Sequence, residues 1–171
     1  MSWSDTLQTF DASAFIHGWD HYPIDQFPRL WEWLGERLAD GDPVICEVAL
    51  EEVERRASEC HAWLLQQTIT RIEMTNADTL RAAEIEASLG IVNQRYNQAG
   101  VGENDLLIIA SALESGHELI TNEGRQSDLP KKKARYKIPA VCAMSSVAVP
   151  SLSFLDFIRA SGEVFDSGAN R

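Results

Sequence analysis

The 171-residue chain is 44% hydrophobic, enough apolar material for the core of one globular domain spanning residues 1–171. Its formal charge of −11 argues against a protein that grips nucleic acid over a broad electrostatic surface, although Lys131, Lys132, Lys133, Arg135 and Lys137 form one local basic run. Cys46, Cys60 and Cys142 are widely spaced among apolar neighbours and read as reduced core residues, not as a disulfide framework or zinc site. No leader pattern or membrane-spanning run is evident, so a cytoplasmic protein without membrane contact is expected.

The short run Leu7-Gln8-Thr9-Phe10 predicts a buried strand with Asp11 at its carboxyl end, leading into a turn and a helix. A breaker-rich stretch around Gly18, Pro23 and Asp25 places His17 and His21 in a loop. Phe27, Leu30, Trp31, Leu34 and Leu38 then recur at helical spacing, with Gly41 just past the end. Residues 43–46 predict a second strand, and Leu50, Val53, Ala57, Cys60 and Leu64 an amphipathic helix after it. Residues 66–77 satisfy neither period, whereas 78–98 predict a helix on composition despite Gly90. Asn104 is a candidate cap for the helix 105–113, which is apolar on nearly all sides and therefore central. Gly116 stops it, and residues 118–121 predict a strand. A polar loop with Gly124 and Pro130 follows, then another strand at 140–142 and a last helix carrying Leu152, Leu155 and Ile158.

This alternation predicts an α/β fold, a three-layer α/β/α sandwich with a central, mainly parallel sheet. Ligands of such sheets bind outside the carboxyl ends of the strands, where Asp11 and Glu123 are expected and near which Glu52 opens a helix. Each acid also has a plainer reading. Asp11 can cap a turn, Asp105 can be a helix-start acid favoured by the dipole, and Glu123 can be loop surface. Either Glu51 or Glu52 can be solvated helix surface. Ser13 and Thr121 can hydrogen-bond ligands or merely satisfy local backbone. His61 and His117 have no identifiable partner in the sequence, and Trp31, Trp33 and Trp63 read as core or interface.

Four blocks, in order, resemble the PIN-domain family, which includes the VapC-like toxin ribonucleases. Asp11-Ala12-Ser13-Ala14-Phe15-Ile16 resembles the opening acidic block, and Leu50-Glu51-Glu52-Val53 the second. The most specific is Asp105-Leu106-Leu107-Ile108-Ile109-Ala110-Ser111-Ala112-Leu113, similar to the family's central aspartate-headed helix, and Thr121-Asn122-Glu123 resembles the closing block. Ile138-Pro139-Ala140-Val141-Cys142 with the terminal helix is similar to one longer subgroup of uncharacterised role. Ala12 stands where many members carry threonine, and Glu123 replaces the commoner aspartate. The resemblance implies an endoribonuclease whose catalytic and metal-holding residues are Asp11, Glu52, Asp105 and Glu123. It further implies Mg2+ or Mn2+ as cofactor, an RNA substrate, an antitoxin protein as partner and, as a further possibility, a homodimer.

The chemistry is consistent with that donor set. Hard divalent cations favour oxygen ligands and keep several waters, so carboxylates without a histidine or cysteine cluster suit them. Phosphodiester hydrolysis requires charge shielding, water activation and leaving-group stabilisation, all of which such an ion supplies. A phosphatase of the haloacid-dehalogenase type would need a second aspartate where Ser13 stands. A receiver-like module would want paired acids near the first strand and a lysine after a late one. The remaining alternative is a catalytically silent PIN-like interaction module.

Overall fold

Short apolar segments flanked by helices settle into a parallel sheet because both of its faces are then covered. The computed structural model describes residues 6–166; Trp3 and both ends of the expected 1–171 domain lie outside the described residues. Among the described residues β1 (Gln8–Phe10), β2 (Val44–Cys46), β3 (Arg71–Ile72), β4 (Glu118–Ile120) and β5 (Ser151–Leu152) form one sheet in the order β3-β2-β1-β4-β5. Every pairing is parallel, with Phe10 opposite Ile45 on one side and Ile120 on the other. The chain moves from β1 outward through β2 and β3, then crosses back to place β4 and β5 on the other side of β1. That reversal makes a switch point beside the central strand, where connections diverge and leave a crevice.

The helices α1 (Ala12–His21), α2 (Pro28–Ala39), α3 (Glu47–Arg56), α4 (Ser58–Leu65), α5 (Asn76–Ser88), α6 (Glu103–Ser115), α7 (Ile138–Cys142) and α8 (Phe154–Ser161) flank this sheet in a three-layer arrangement. Helix α6 is central as expected: Leu106, Ile108, Ile109, Ala110 and Ala112 are all buried. Trp31 is buried and packs edge-on against Trp19 and Trp63, while Trp33 lies against Phe157 and Phe165, so these tryptophans serve packing. Among the described residues no helix is long and apolar enough to cross a membrane.

Several local expectations are corrected. His17 and His21 lie on α1, not in a loop, because Gly18 does not break that helix. It lets the helix approach α8 so closely that a Cβ there would sit 2.9 Å from the Phe154 ring. The single helix expected over Leu50–Leu64 is two, α3 and α4, divided at Ala57 (φ −148°, ψ 69°), and Val53, Cys60 and Leu64 remain buried across the break. Helix α5 ends at Ser88 rather than near 98, since Gly90 takes a left-handed conformation (φ +72°) and Ile91 turns into the core. Gly102, not Asn104, is the N-cap of α6, and Asn104 lies within the helix. Residues 140–142 belong to the short helix α7, not to a strand. Pro139 sits in its first turn, where a missing N–H costs nothing, and a brief apolar run does not distinguish the two states. Leu152 is in β5, so α8 begins only at Phe154, with Ser153 capping it through the Asp156 N–H.

Candidate metal centre

Asp11 follows β1, Glu52 sits on α3 after β2, and Asp105 lies in the first turn of α6. Different elements thus bring three like charges together: carboxylate oxygens of Asp11, Glu52 and Asp105 all lie within 4.8 Å of one another. Glu123, in the loop after β4, is outside that triad. It is close enough for its charge to raise the pKa of both Asp11 and Asp105. Glu51 does not join them; it lines a separate depression of about 580 Å³ with Glu47, Glu54 and His61.

Each carboxylate is held through one oxygen. Asp11 occupies the N-cap position of α1 but makes no side-chain capping bond. Instead its Oδ2 accepts hydrogen bonds from the Ser13 hydroxyl and, at 3.0 Å, from the Thr121 hydroxyl. Glu52 Oε1 accepts from Arg56 at 2.8 Å, and Asp105 Oδ2 from the Gly102 N–H at 2.8 Å. Glu123 Oε2 accepts from the Ile138 N–H at 3.4 Å. The second oxygen of each of the four acids receives no hydrogen bond among the described residues. Asp11, Glu52 and Asp105, each held through one oxygen, are a set that could hold a hard cation; Glu123 stands outside it.

Burial drives the electrostatics. Asp11 is buried, and desolvation pushes its carboxyl up to about 6 against the lowering effect of the Ser13 and Thr121 hydroxyls; Glu52 and Glu123 raise it further. Desolvation likewise moves Asp105 to about 7, opposed by the Gly102 N–H and assisted by Glu123, Asp11 and Glu52. The cysteines fit their reading as core residues. They are free and buried, and burial holds all three thiols at about 12, far from thiolate chemistry.

The plainer roles of Ser13 and Thr121 prove partly true as well. Ser13 Oγ accepts the Asn122 N–H at 2.9 Å, and Thr121 Oγ1 accepts the Glu123 N–H at 3.3 Å, so both hydroxyls tie the loop after β4 to Asp11. Two site residues were not recognised from the sequence. Gly102 was legible in its three-residue separation from Asp105, the spacing of a helix-start acid from its N-cap, and Arg56 in its four-residue separation from Glu52. His117, for which the sequence offers no identifiable partner, lies 2.9 Å from the Thr9 hydroxyl through Nδ1.

Comparison with known proteins agrees with this geometry at the level of fold. A family described as a domain of unknown function, DUF4411, matches residues 9–165, a span that includes all four acids. The chain belongs to the DUF4411 family. No curated protein matches it. The DUF4411 chain is similar to VapBC from Salmonella typhimurium in a DNA-bound crystal structure, with 16% identity, a TM-score of 0.54 and coverage of 87% of this chain and 98% of that one. VapBC2 from Rickettsia felis, bound to a DNA fragment from its promoter, shows 14% identity, a TM-score of 0.52 and coverage of 86% and 98%. PAE2754 from Pyrobaculum aerophilum shows 12% identity, a TM-score of 0.53 and coverage of 92% and 91%. These likenesses establish a PIN-like, VapC-type fold.

Proposed function

We propose that this DUF4411 chain is a metal-dependent endoribonuclease, with Asp11, Glu52, Asp105 and Glu123 as its metal-holding and catalytic acids and Mg2+ or Mn2+ as the ion. The observation that carries the reading is the convergence to within 4.8 Å of carboxylates from the end of β1, from α3 and from α6. Such like charges repel without a cation, and an all-oxygen set matches these two metals. When bound, the ion would shield phosphate charge and lower the pKa of a coordinated water.

The protein's own groups do the rest. Ser13 and Thr121 fix the carboxylate plane of Asp11, Gly102 fixes that of Asp105, and Arg56 orients Glu52. The burial of Asp11 excludes bulk water from its base, so the site does not depend on mobile side chains. A silent interaction module has no use for a buried Asp11 and a half-buried Asp105 whose ionisation is opposed by desolvation, which favours catalysis.

The reading extends to a single cytoplasmic domain, 1–171, acting as the toxin of a toxin–antitoxin pair. Two of its fold neighbours are VapBC structures. An antitoxin that blocks the cleft is expected to present a basic residue to these acids, and self-association is a second mode of assembly. The test is cleavage of single-stranded RNA by the purified chain with magnesium or manganese, with chelator, and with Asp105→Asn. Cleavage that persists in chelator or in the variant refutes the mechanism.

A further inference from the structure

Every lysine in the chain falls within seven residues: Lys131, Lys132, Lys133 and Lys137, with Arg135 among them. Residues 124–137 hold six of the 15 Lys and Arg but one of the 26 Asp and Glu. All five of these cations are exposed, and none takes part in an ion pair among the described residues. In a chain of formal charge −11 this is a concentrated exception.

The loop is also pinned beside the acids. The Tyr136 carbonyl accepts the Val101 N–H at 2.9 Å, just ahead of Gly102, which holds Asp105. Gly100 lets the loop close down: a Cβ there would lie 2.2 Å from the Ala134 carbonyl oxygen and 2.9 Å from Arg135 Cα. On its other side the Gln126 amide binds both the Arg135 carbonyl and the Lys137 N–H, and the next residue, Ile138, donates to Glu123. The strip is therefore tied both to the segment that presents Asp105 and to the loop that presents Glu123. Lys133 and Tyr136 line an open depression of about 290 Å³ with Leu129 and Met144, apolar and aromatic surface suited to an unstacked base.

We propose that the 131–137 loop is the binding strip for the phosphodiester backbone of a single-stranded polynucleotide, with Lys131, Lys132, Lys133, Arg135 and Lys137 as the groups that meet its phosphates. The assignment of that ligand as substrate rests on the nuclease reading; the binding site itself does not require catalysis. Phosphate contacts of this kind position the strand without reading sequence.

Because no lysine lies elsewhere, acetylation with an N-hydroxysuccinimide ester, read at lysine by mass spectrometry, reports on this loop alone. In chelator, a saturating oligouridylate is expected to reduce labelling of the four lysines several-fold. A fluorescent oligouridylate should bind the Lys131→Gln/Lys132→Gln/Lys133→Gln variant on the order of tenfold more weakly. The salt dependence of binding should also fall by about 2 in log–log slope, at roughly 0.7 for each phosphate that is no longer neutralised. Equal protection by oligodeoxythymidylate sustains the site as a reader of the shared backbone; protection by the RNA alone sustains it with a contribution from the 2′-hydroxyl. Unchanged labelling, or protection by polyglutamate and by neither oligonucleotide, overturns the proposal. Protection without cleavage in magnesium or manganese leaves the strip standing and removes the nuclease reading. Cleavage by a triple variant of unaltered KM, with unprotected lysines in the parent, does the reverse.

Discussion

Asp11→Asn tests the site without reference to any substrate. In the fold this carboxyl is raised from 3.8 to about 6, which favours its neutral form by on the order of 3 kcal/mol. A group raised in this way contributes stability that is fully present below about pH 4 and is lost as pH rises through about 6, because between those values the folded state binds more protons than the unfolded one. Asp105, raised to about 7, extends the decline upward. The metal-free protein should therefore lose stability from about pH 4 to about pH 7. An asparagine keeps an oxygen to accept the Ser13 and Thr121 hydroxyls and turns its amide toward the remaining carboxylates. At about pH 8 the variant should thus be more stable than the parent by on the order of 1–3 kcal/mol in chelator, a rise of about 2–4 °C per kcal/mol for a chain of this size.

Metal should invert the order. At a free ion concentration of about 100 times Kd the parent gains about 2.7 kcal/mol, and the variant, lacking one anionic ligand, gains much less. Thermal and urea unfolding, in chelator and in manganese and across the pH range, read both effects. An Asp11→Asn protein less stable than the parent in chelator at about pH 8 would refute the electrostatic reasoning. A parent whose unfolding is indifferent to magnesium and manganese would refute the metal reading.

Glu52→Gln is expected to abolish both metal-dependent stabilisation and RNA cleavage, whereas Glu51→Gln, on the separate depression, should retain nearly all of each; parallel unfolding and cleavage assays decide. Thr121→Val removes a hydroxyl donor from Asp11 and should raise its pKa above about 6, moving the pH midpoint of manganese binding upward, as titration calorimetry over pH can show. Gly100→Ala forces a Cβ into the Ala134 carbonyl and should destabilise the protein by roughly 1–3 kcal/mol, measured by urea unfolding. A change within error would show that the 131–137 loop is not held there as tightly as its hydrogen bonds imply.

The central strands and helix α6 were legible because each carries apolar residues that the fold buries: Phe10, Val44 to Cys46, Leu119 and Ile120 in the strands, and Leu106, Ile108 and Ile109 in the helix. The position of Asp11 followed from the end of β1, at the crevice of a parallel sheet, whereas Glu52, Asp105 and Glu123 were singled out by the resemblance of their blocks to the PIN-domain family. The residues that failed depend on distant partners. Gly18 reads as a breaker until Phe154 is seen against it, and Ala57 carries no local signal for the bend between α3 and α4. The Ile138–Cys142 segment is too short for either periodicity to show, and β5, two residues long, is a strand only because β4 lies beside it. Glu123 lies outside the triad of Asp11, Glu52 and Asp105, and the Ile138 N–H that holds it comes from across the lysine loop, a contact no local pattern announces.

The net charge of −11 stood as the main objection to a nucleic-acid enzyme, and its distribution answers the objection on the proposed reading. A diffuse positive surface would bring a polyanion to the protein anywhere; an acidic body repels it everywhere except at a local cationic edge. The lysine strip supplies such an edge, and its backbone is bonded to the segments that carry Asp105 and Glu123. Those same acids would repel the phosphate if left bare, so productive approach would require both the strip and a cation between the carboxylates and the strand. Polynucleotide and metal should accordingly bind with positive coupling. Oligouridylate affinity is expected to rise when manganese is added to the parent and to stay flat in Asp11→Asn, while the triple lysine variant should keep the manganese increment on a weaker baseline. Anisotropy titrations at fixed ionic strength separate the three cases. An increment of equal size in Asp11→Asn would mean that the cation acts by screening the acidic surface and not at the carboxylate centre.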